Sequence, residues 1–211
     1  MRAVVIGGGI GGLAAAVALR KIGVDVLVLE RVPQIREVGA GLSLWSNAVH
    51  ALRELGVEDQ VLASATVVEQ MVTVTAAGRK VAVTDVASFS REAGAPCICV
   101  HRAALQQILL QKLPPWSVRT GARCIGFEQS TAILEDGERV EADVLVGADG
   151  IASAIRQALH GKAAPVYAGY TCWRGICRDD GSLPDGSAIL AVGHGMQCES
   201  GTAAKDRSTG S

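Results

Sequence analysis

Residues 1–30, MRAVVIGGGIGGLAAAVALRKIGVDVLVLE, decide the fold. Ala3 to Ile6 is a short apolar, β-branched run of the kind that forms a strand buried on both faces. Gly7-Gly8-Gly9-Ile10-Gly11-Gly12 follows, and then Leu13 to Lys21, rich in alanine and leucine and therefore helical. Gly23 ends that helix, and Val24 to Leu29 supplies a second apolar strand closed by Glu30.

Strand, G-x-G-x-x-G, helix, strand and acid together mark a βαβ unit that binds a dinucleotide. Gly7 allows the tight turn, Gly9 lets the backbone approach a pyrophosphate, and Gly12 lets helix and strand pack closely. The helix start offers N–H groups and a positive dipole end to the phosphates. Glu30 falls where a carboxylate accepts both hydroxyls of an adenine ribose and repels a 2′-phosphate. The motif asks for an adenosine diphosphate moiety and leaves NAD and FAD both open.

Composition narrows the class. With 49% hydrophobic and 19% charged residues, the chain reads as globular, and its 211 residues suffice for one domain plus part of another. A formal net charge of -1 argues against nucleic acid and anionic lipid as partners, and 3% aromatics argues against stacking platforms for single strands. Cys97, Cys99, Cys124, Cys172, Cys177 and Cys198 form no zinc pattern and are expected to be buried small hydrophobes in a reducing compartment. The four histidines show no ligand spacing, so no metal site is expected. The apolar stretch Ala3 to Leu19 is too glycine-broken for a membrane span, no signal peptide precedes it, and a cytoplasmic location is expected.

Three later stretches extend the reading. Val38-Gly39-Ala40-Gly41-Leu42-Ser43-Leu44 is rich in small residues and predicts a loop. Ser46 or Asn47 would cap the helix that follows and stops at Gly56, and Trp45, by its size, is expected in the core. His101-Arg102-Ala103 starts a helix running to about Leu113, before Pro114-Pro115. Asp143 to Val146 reads as a buried strand that ends in Gly147-Ala148-Asp149-Gly150, with a short helix behind. Ligands of parallel sheets sit beyond the carboxyl ends of strands, which is where Asp149 falls.

With Glu30-Arg31 after the first motif, the V-G-A-G-L loop, and G-A-D-G-x-x-S-x-x-R at 147–156, the chain resembles the class A FAD-dependent monooxygenases over roughly residues 1–195. These are single-component flavoprotein aromatic hydroxylases and epoxidases. The resemblance implies an α/β fold: a Rossmann-like FAD-binding domain with an interleaved, incomplete β-sheet substrate domain. It implies that Glu30 and Arg31 hold the adenosine end of FAD, that the 39–43 loop with Gly41 and Ser43 lies along the flavin, and that Arg102 contacts the cofactor. The backbone near Cys124 would lie close to the adenine, and Asp149 would serve both flavin and reductant. NAD(P)H would be the transient reductant, dioxygen the oxidant, and a small aromatic or unsaturated molecule the substrate. An alkene reductase on the same fold and an inactive FAD-binding fragment are the alternatives.

The expected domain boundaries follow. Residues 1–66 form the first FAD-binding part, and 67–96 the substrate-domain strands, with a turn at Ala77-Gly78. Residues 97–160 form the second FAD-binding part, including a hairpin at Asp136-Gly137 and the aspartate-glycine motif. Residues 161–195 form a partial substrate domain. Its first strand is expected at Val166 to Ile176, with Tyr170, Trp173 and Arg174 as candidates for the pocket wall, and a second good strand at Ala188 to Val192. Residues 196–211 read as a disordered polar tail. Family members usually run further and return with a Gly-Asp-Ala-Ala-His-type segment. Nothing like it occurs here, so truncation or a reading-frame change near residue 195 is expected.

Overall fold

The computed structural model describes residues 1–35, 40–178, 181 and 183–202. In chain order the elements are β1 (Arg2–Ile6), α1 (Ile10–Lys21), β2 (Asp25–Leu29), β3 (Gly41–Leu44), α2 (Ser46–Glu54), α3 (Glu58–Ala63) and β4 (Ala65–Val68). Then come β5 (Gln70–Thr75), β6 (Lys80–Asp85), α4 (Val86–Ala93), β7 (Cys97–His101) and α5 (Arg102–Gln111). The remainder is β8 (Val118–Arg119), β9 (Cys124–Glu128), β10 (Thr131–Leu134), β11 (Arg139–Glu141), β12 (Val144–Gly147), α6 (Ala154–His160), β13 (Ser187–Gly193) and β14 (Met196–Gly201). No helix among the described residues is long and apolar enough to cross a membrane.

The chain divides into two units, Met1–Glu37 with Gln106–Cys172 and Val38–Leu105 with Trp173–Ser211. The first is built on a parallel sheet in the order β12-β1-β2-β8. Val4, Val5, Ile6 and Val28, Leu29 are all but inaccessible, as strands covered on both faces require. A three-stranded antiparallel ribbon, β11-β10-β9, adds Ala132, Leu134 and Val140 to the cluster formed by Val4, Ile6, Leu29 and Ile155. Its outer face is laced by Arg139–Glu128 at 2.7 Å and Arg123–Glu135 at 3.3 Å. β12 departs from expectation: it is half-exposed rather than buried, because among the described residues it pairs only with β1 and forms the sheet edge.

The second unit holds two sheets, β3-β7-β4 and β14-β13-β5-β6. Val68, Val86, Cys97, Cys99 and Ala188 form its buried cluster, with Met71 packed against it. Several expectations change here. Gly41–Leu44 is a strand rather than a loop, paired antiparallel with β7 from Gly41↔His101 to Leu44↔Ile98. Val38 and Gly39 lie outside the described residues. Trp45 is 53% exposed and precedes α2, and no side chain caps that helix. Ser46 lies inside the helix, where its hydroxyl donates to the Ala95 carbonyl at 2.7 Å instead.

Met196–Gly201 is a strand, not a tail: it returns along β13 after a turn at His194-Gly195, both with positive φ as a tight hairpin turn demands. Residues 203–211 lie outside the described residues. Val166 to Ile176 forms no strand, and makes no ladder among the described residues. Only Cys97 and Cys99 of the six cysteines are buried. Cys124 is half-buried, and Cys172, Cys177 and Cys198 are exposed.

Candidate functional site

β1 and β12 run parallel and side by side, in register from Ala3↔Val144 to Ile6↔Gly147. Each strand therefore delivers a turn to the same end of the sheet: Gly7-Gly8-Gly9 before α1, and Ala148-Asp149-Gly150 before α6. The Ala148 N–H donates to the Ile6 carbonyl at 2.8 Å, tying the second turn to the first. Gly7 has φ +111, and a Cβ on it would stand 2.4 Å from the Ala148 carbonyl oxygen. A Cβ on Gly12 would stand 1.9 Å from the Gly7 carbonyl oxygen. Both glycines are demanded by close backbone contact.

Gly9 and Gly11 are different, since a Cβ on either would meet nothing within 4 Å. The start of α1 is thus open to solvent, and no side chain caps it. Its first N–H groups and positive dipole end are available to an anion. Glu30 follows β2 directly. Its Oε2 accepts from the Gly8 N–H at 2.6 Å and its Oε1 from the Val32 N–H at 2.9 Å, leaving lone pairs on both oxygens for ribose hydroxyls.

Asp149 closes the other turn. Its Oδ2 accepts from the Ala154 N–H at 2.7 Å and the Ile155 N–H at 3.3 Å, at the start of α6. Its Oδ1 is buried and has no hydrogen-bond partner among the described residues. A buried, unpaired carboxylate oxygen is costly unless a ligand hydroxyl or amide fills it. Cys124, at the start of β9, donates its thiol to the Gly126 carbonyl at 3.1 Å. Burial pushes that thiol up, and the charge of Asp149 adds to the effect. A groove of about 290 Å³ lies between β12, the Asp149 turn and α6, lined by Leu145, Asp149, Ser153, Ile155, Arg156 and His160 among others.

The residues of the first unit fit the adenosine diphosphate half of FAD. Open glycines and an uncapped helix suit a pyrophosphate, a carboxylate at the second strand end suits a ribose, and the orphaned Asp149 oxygen suits a further hydroxyl. Gly7, Gly9, Gly12, Glu30, Cys124 and Asp149 all belong to this unit, and Arg31 is an exposed residue beside Glu30.

Gly41, Ser43 and Arg102 belong to the second unit. Ser43 lies on β3, its hydroxyl 3.6 Å from the Cys99 sulfur and donating to Glu199 Oε1 at 3.5 Å. Burial raises the Cys99 thiol as well. Arg102 is exposed at the first position of α5, and its N–H donates to the Ala40 carbonyl at 3.2 Å. Tyr170 and Trp173 are 75% and 92% exposed on irregular chain, and Arg174 is exposed beside them.

Three further side chains complete the site: Ser153 and Arg156 stand in the 147–156 motif without an assigned role, and Gln106 escapes the sequence reading altogether. Gln106 donates from Nε2 to the Gly8 carbonyl at 2.7 Å. Ser153 accepts from the Arg156 N–H at 2.9 Å as the α6 cap, and the Arg156 guanidinium donates to the carbonyls of Gly150, at 3.1 Å, and Ile151. The S-x-x-R spacing carries a visible capping signal for Ser153. A glutamine in mid-helix carries none.

The FAD binding domain family model matches residues 1–173. Aurachin C monooxygenase/isomerase from Stigmatella aurantiaca is 40% identical over 177 residues, 82% of this chain and 46% of its own. The FAD-dependent urate hydroxylase from Klebsiella pneumoniae is 35% identical over 204 residues, 93% of this chain and 53% of its own. Among solved structures, a variant of Klebsiella pneumoniae HpxO complexed with FAD superposes with a TM-score of 0.86 at 33% identity, covering 94% of this chain and 53% of that one. The chain spans about half the length of the curated relatives it matches.

Proposed function

Because the chain belongs to the FAD binding domain family of the class A FAD-dependent monooxygenases, we propose that it binds FAD for the oxygenation of a small aromatic substrate, with NAD(P)H as the source of electrons. One observation carries the reading: two glycine-bearing turns at the carboxyl ends of adjacent parallel strands, one beneath an uncapped helix start and the other holding the unpaired Oδ1 of Asp149. Reduced FAD, when bound, supplies the electrons with which dioxygen gives one oxygen atom to substrate and one to water.

The chain's own residues bind and orient. The N–H groups at the start of α1 hold the pyrophosphate, with Gly9 and Gly11 keeping the approach clear. Glu30 accepts the ribose hydroxyls while keeping the turn in shape through the Gly8 N–H. Arg31 would provide positive charge at the adenosine end, and the β9 backbone at Cys124 would contact the adenine. Asp149 accepts a cofactor hydroxyl at Oδ1, a role supported by the burial of that atom. In the second unit Gly41, Ser43 and Arg102 are assigned to the cofactor on the family motif, and Tyr170, Trp173 and Arg174 remain candidates for substrate contact on the same ground.

The aromatic substrate class is supported by relatives that are a urate hydroxylase and a 3-hydroxybenzoate 6-hydroxylase. Cysteines scattered without a disulfide or zinc spacing support a reducing, cytoplasmic location. The visible absorption spectrum of the purified chain, with identification of any cofactor released on denaturation, tests the reading. Stoichiometric FAD supports it, and NAD(P)H oxidation with phenols then follows as the activity assay. A colourless protein that added FAD does not reconstitute refutes binding by this chain.

A further inference from the structure

Gly8 is gripped at both of its polar groups by side chains of its own unit. Its N–H donates to Glu30 Oε2 at 2.6 Å, and its carbonyl accepts from Gln106 Nε2 at 2.7 Å. Gln106 is partly buried, 98 residues along the chain, on a helix whose backbone bonds do not need it. The glutamine amide is not required to build α1 either, which begins without any side-chain cap.

The peptide joining Gly8 to Gly9 is flanked by two glycines, so sterics alone do little to stop it flipping. The Gly8–Gly9 peptide is trans, like every peptide among the described residues, so the Gly9 N–H points opposite to the Gly8 carbonyl across one planar unit. With the carbonyl fixed on Gln106, the Gly9 N–H is directed away from α5. Gly9 itself caps α1 with φ -73 and ψ 176, and the space at its Cα is open. A flipped peptide would present a carbonyl oxygen there, the wrong end of the dipole for an anion.

We propose that Gln106 is a positioning residue for a pyrophosphate group: by fixing the Gly8 carbonyl it holds the Gly9 N–H beside the free N–H groups at the start of α1, all facing the anion. This rests on the nucleotide-binding reading above. Gln106 acts through the peptide, so its contribution is felt by ligands with phosphates and not by those without.

Calorimetric titration of the full chain, freed of any FAD it retains, with ADP and with adenosine tests it, using the wild type, Gln106→Met and Gln106→Glu. Gln106→Met removes the donor at similar length. It is expected to weaken ADP about tenfold or more, through loss of the hydrogen bond that the Gly9 N–H would give to the charged phosphate, and to leave adenosine unchanged. In Gln106→Glu the protonated acid can donate to the Gly8 carbonyl and the carboxylate cannot. Its ADP affinity relative to wild type should recover as pH falls through the carboxyl range, with no such recovery in Gln106→Met. Unchanged ADP binding in Gln106→Met overturns the proposal, as does an equal loss for ADP and adenosine or a pH-independent Gln106→Glu. Failure of the wild type to bind ADP would overturn the nucleotide-binding reading itself, and the proposal with it.

Discussion

The Gly7 carbonyl oxygen lies 1.9 Å from where a Cβ on Gly12 would stand. The first turn of α1 therefore rests directly on the backbone of the turn that precedes it, and any side chain at position 12 must push the two apart. Gly12→Ala is expected to destabilise the protein by about 1–3 kcal/mol or more, as an overpacked contact against rigid backbone does. Gly9→Ala is the control: its Cβ enters open space at an ordinary backbone conformation. It should melt like wild type and lose FAD affinity, because the added methyl stands where the pyrophosphate approaches. Paired thermal melts and FAD titrations separate the two effects, and a Gly9→Ala variant that binds FAD normally would remove the pyrophosphate from this turn.

Asp149 makes a second comparison possible. Asp149→Ala strips the acceptor from the Ala154 and Ile155 N–H groups and should cost about 1 kcal/mol, in line with loss of a helix-start acceptor. Asp149→Asn can keep one oxygen on those donors, so its chemical denaturation midpoint should stay near wild type. Its amide would meet the cofactor where a carboxylate oxygen now faces no partner, and FAD affinity should fall. Equal FAD affinity in Asp149→Asn would contradict the role given to Oδ1.

Thr66 offers a stability prediction with no functional content. It pairs with Cys99 across β4 and β7, and its hydroxyl is buried without a partner among the described residues. Replacing an unsatisfied hydroxyl by a methyl of the same shape removes a desolvation cost. Thr66→Val should leave stability unchanged or raise it by about 1–3 kcal/mol, read from urea unfolding. A clear loss would mean that the hydroxyl has a partner after all.

The surface pairs give the pH dependence its sign. Arg53 holds the Glu58 carboxyl below the usual carboxylate range, chiefly through their hydrogen bonds at 2.6 and 2.8 Å, and Arg119 does the same to Glu138. Carboxyls that release protons more readily when folded contribute stability above their unfolded pKa, about 4.3, and lose it as pH falls through the lower folded value. Urea midpoints should therefore drop toward acid pH, and less steeply in the Glu58→Gln, Glu138→Gln double variant. Arg119 and Glu138 both face solvent whereas Glu58 is largely covered, so added salt should shrink the Glu138 contribution more than that of Glu58.

The parts of the fold that were legible beforehand are those dictated by local chemistry. β1, α1 and β2 follow from apolar runs punctuated by glycines, and the Asp136-Gly137 hairpin follows from its turn residues. The misread parts depend on distant partners. Gly41–Leu44 has loop-like small residues, yet β7 recruits it as a strand. Met196–Gly201 is exposed along its whole length at the edge of its sheet, and such a segment without an apolar run also reads as a tail. Val166 to Ile176 has strand-like residues, but residues alone do not make a ladder. In the site, the glycines and acids announced themselves by spacing, whereas Gln106 is tied to Gly8 by a contact across 98 residues, which no local pattern encodes.

Glu30 has a further consequence for anyone redesigning nucleotide preference. Swapping the acid at the end of the second strand is the obvious way to invite a 2′-phosphate, but here the same carboxylate anchors Gly8 and Val32. Such swaps will be pleiotropic, loosening the phosphate turn while altering the ribose contact. Productive libraries will need compensating changes at neighbouring positions that restore an acceptor for the Gly8 N–H, so epistasis between position 30 and its surroundings should dominate the outcome.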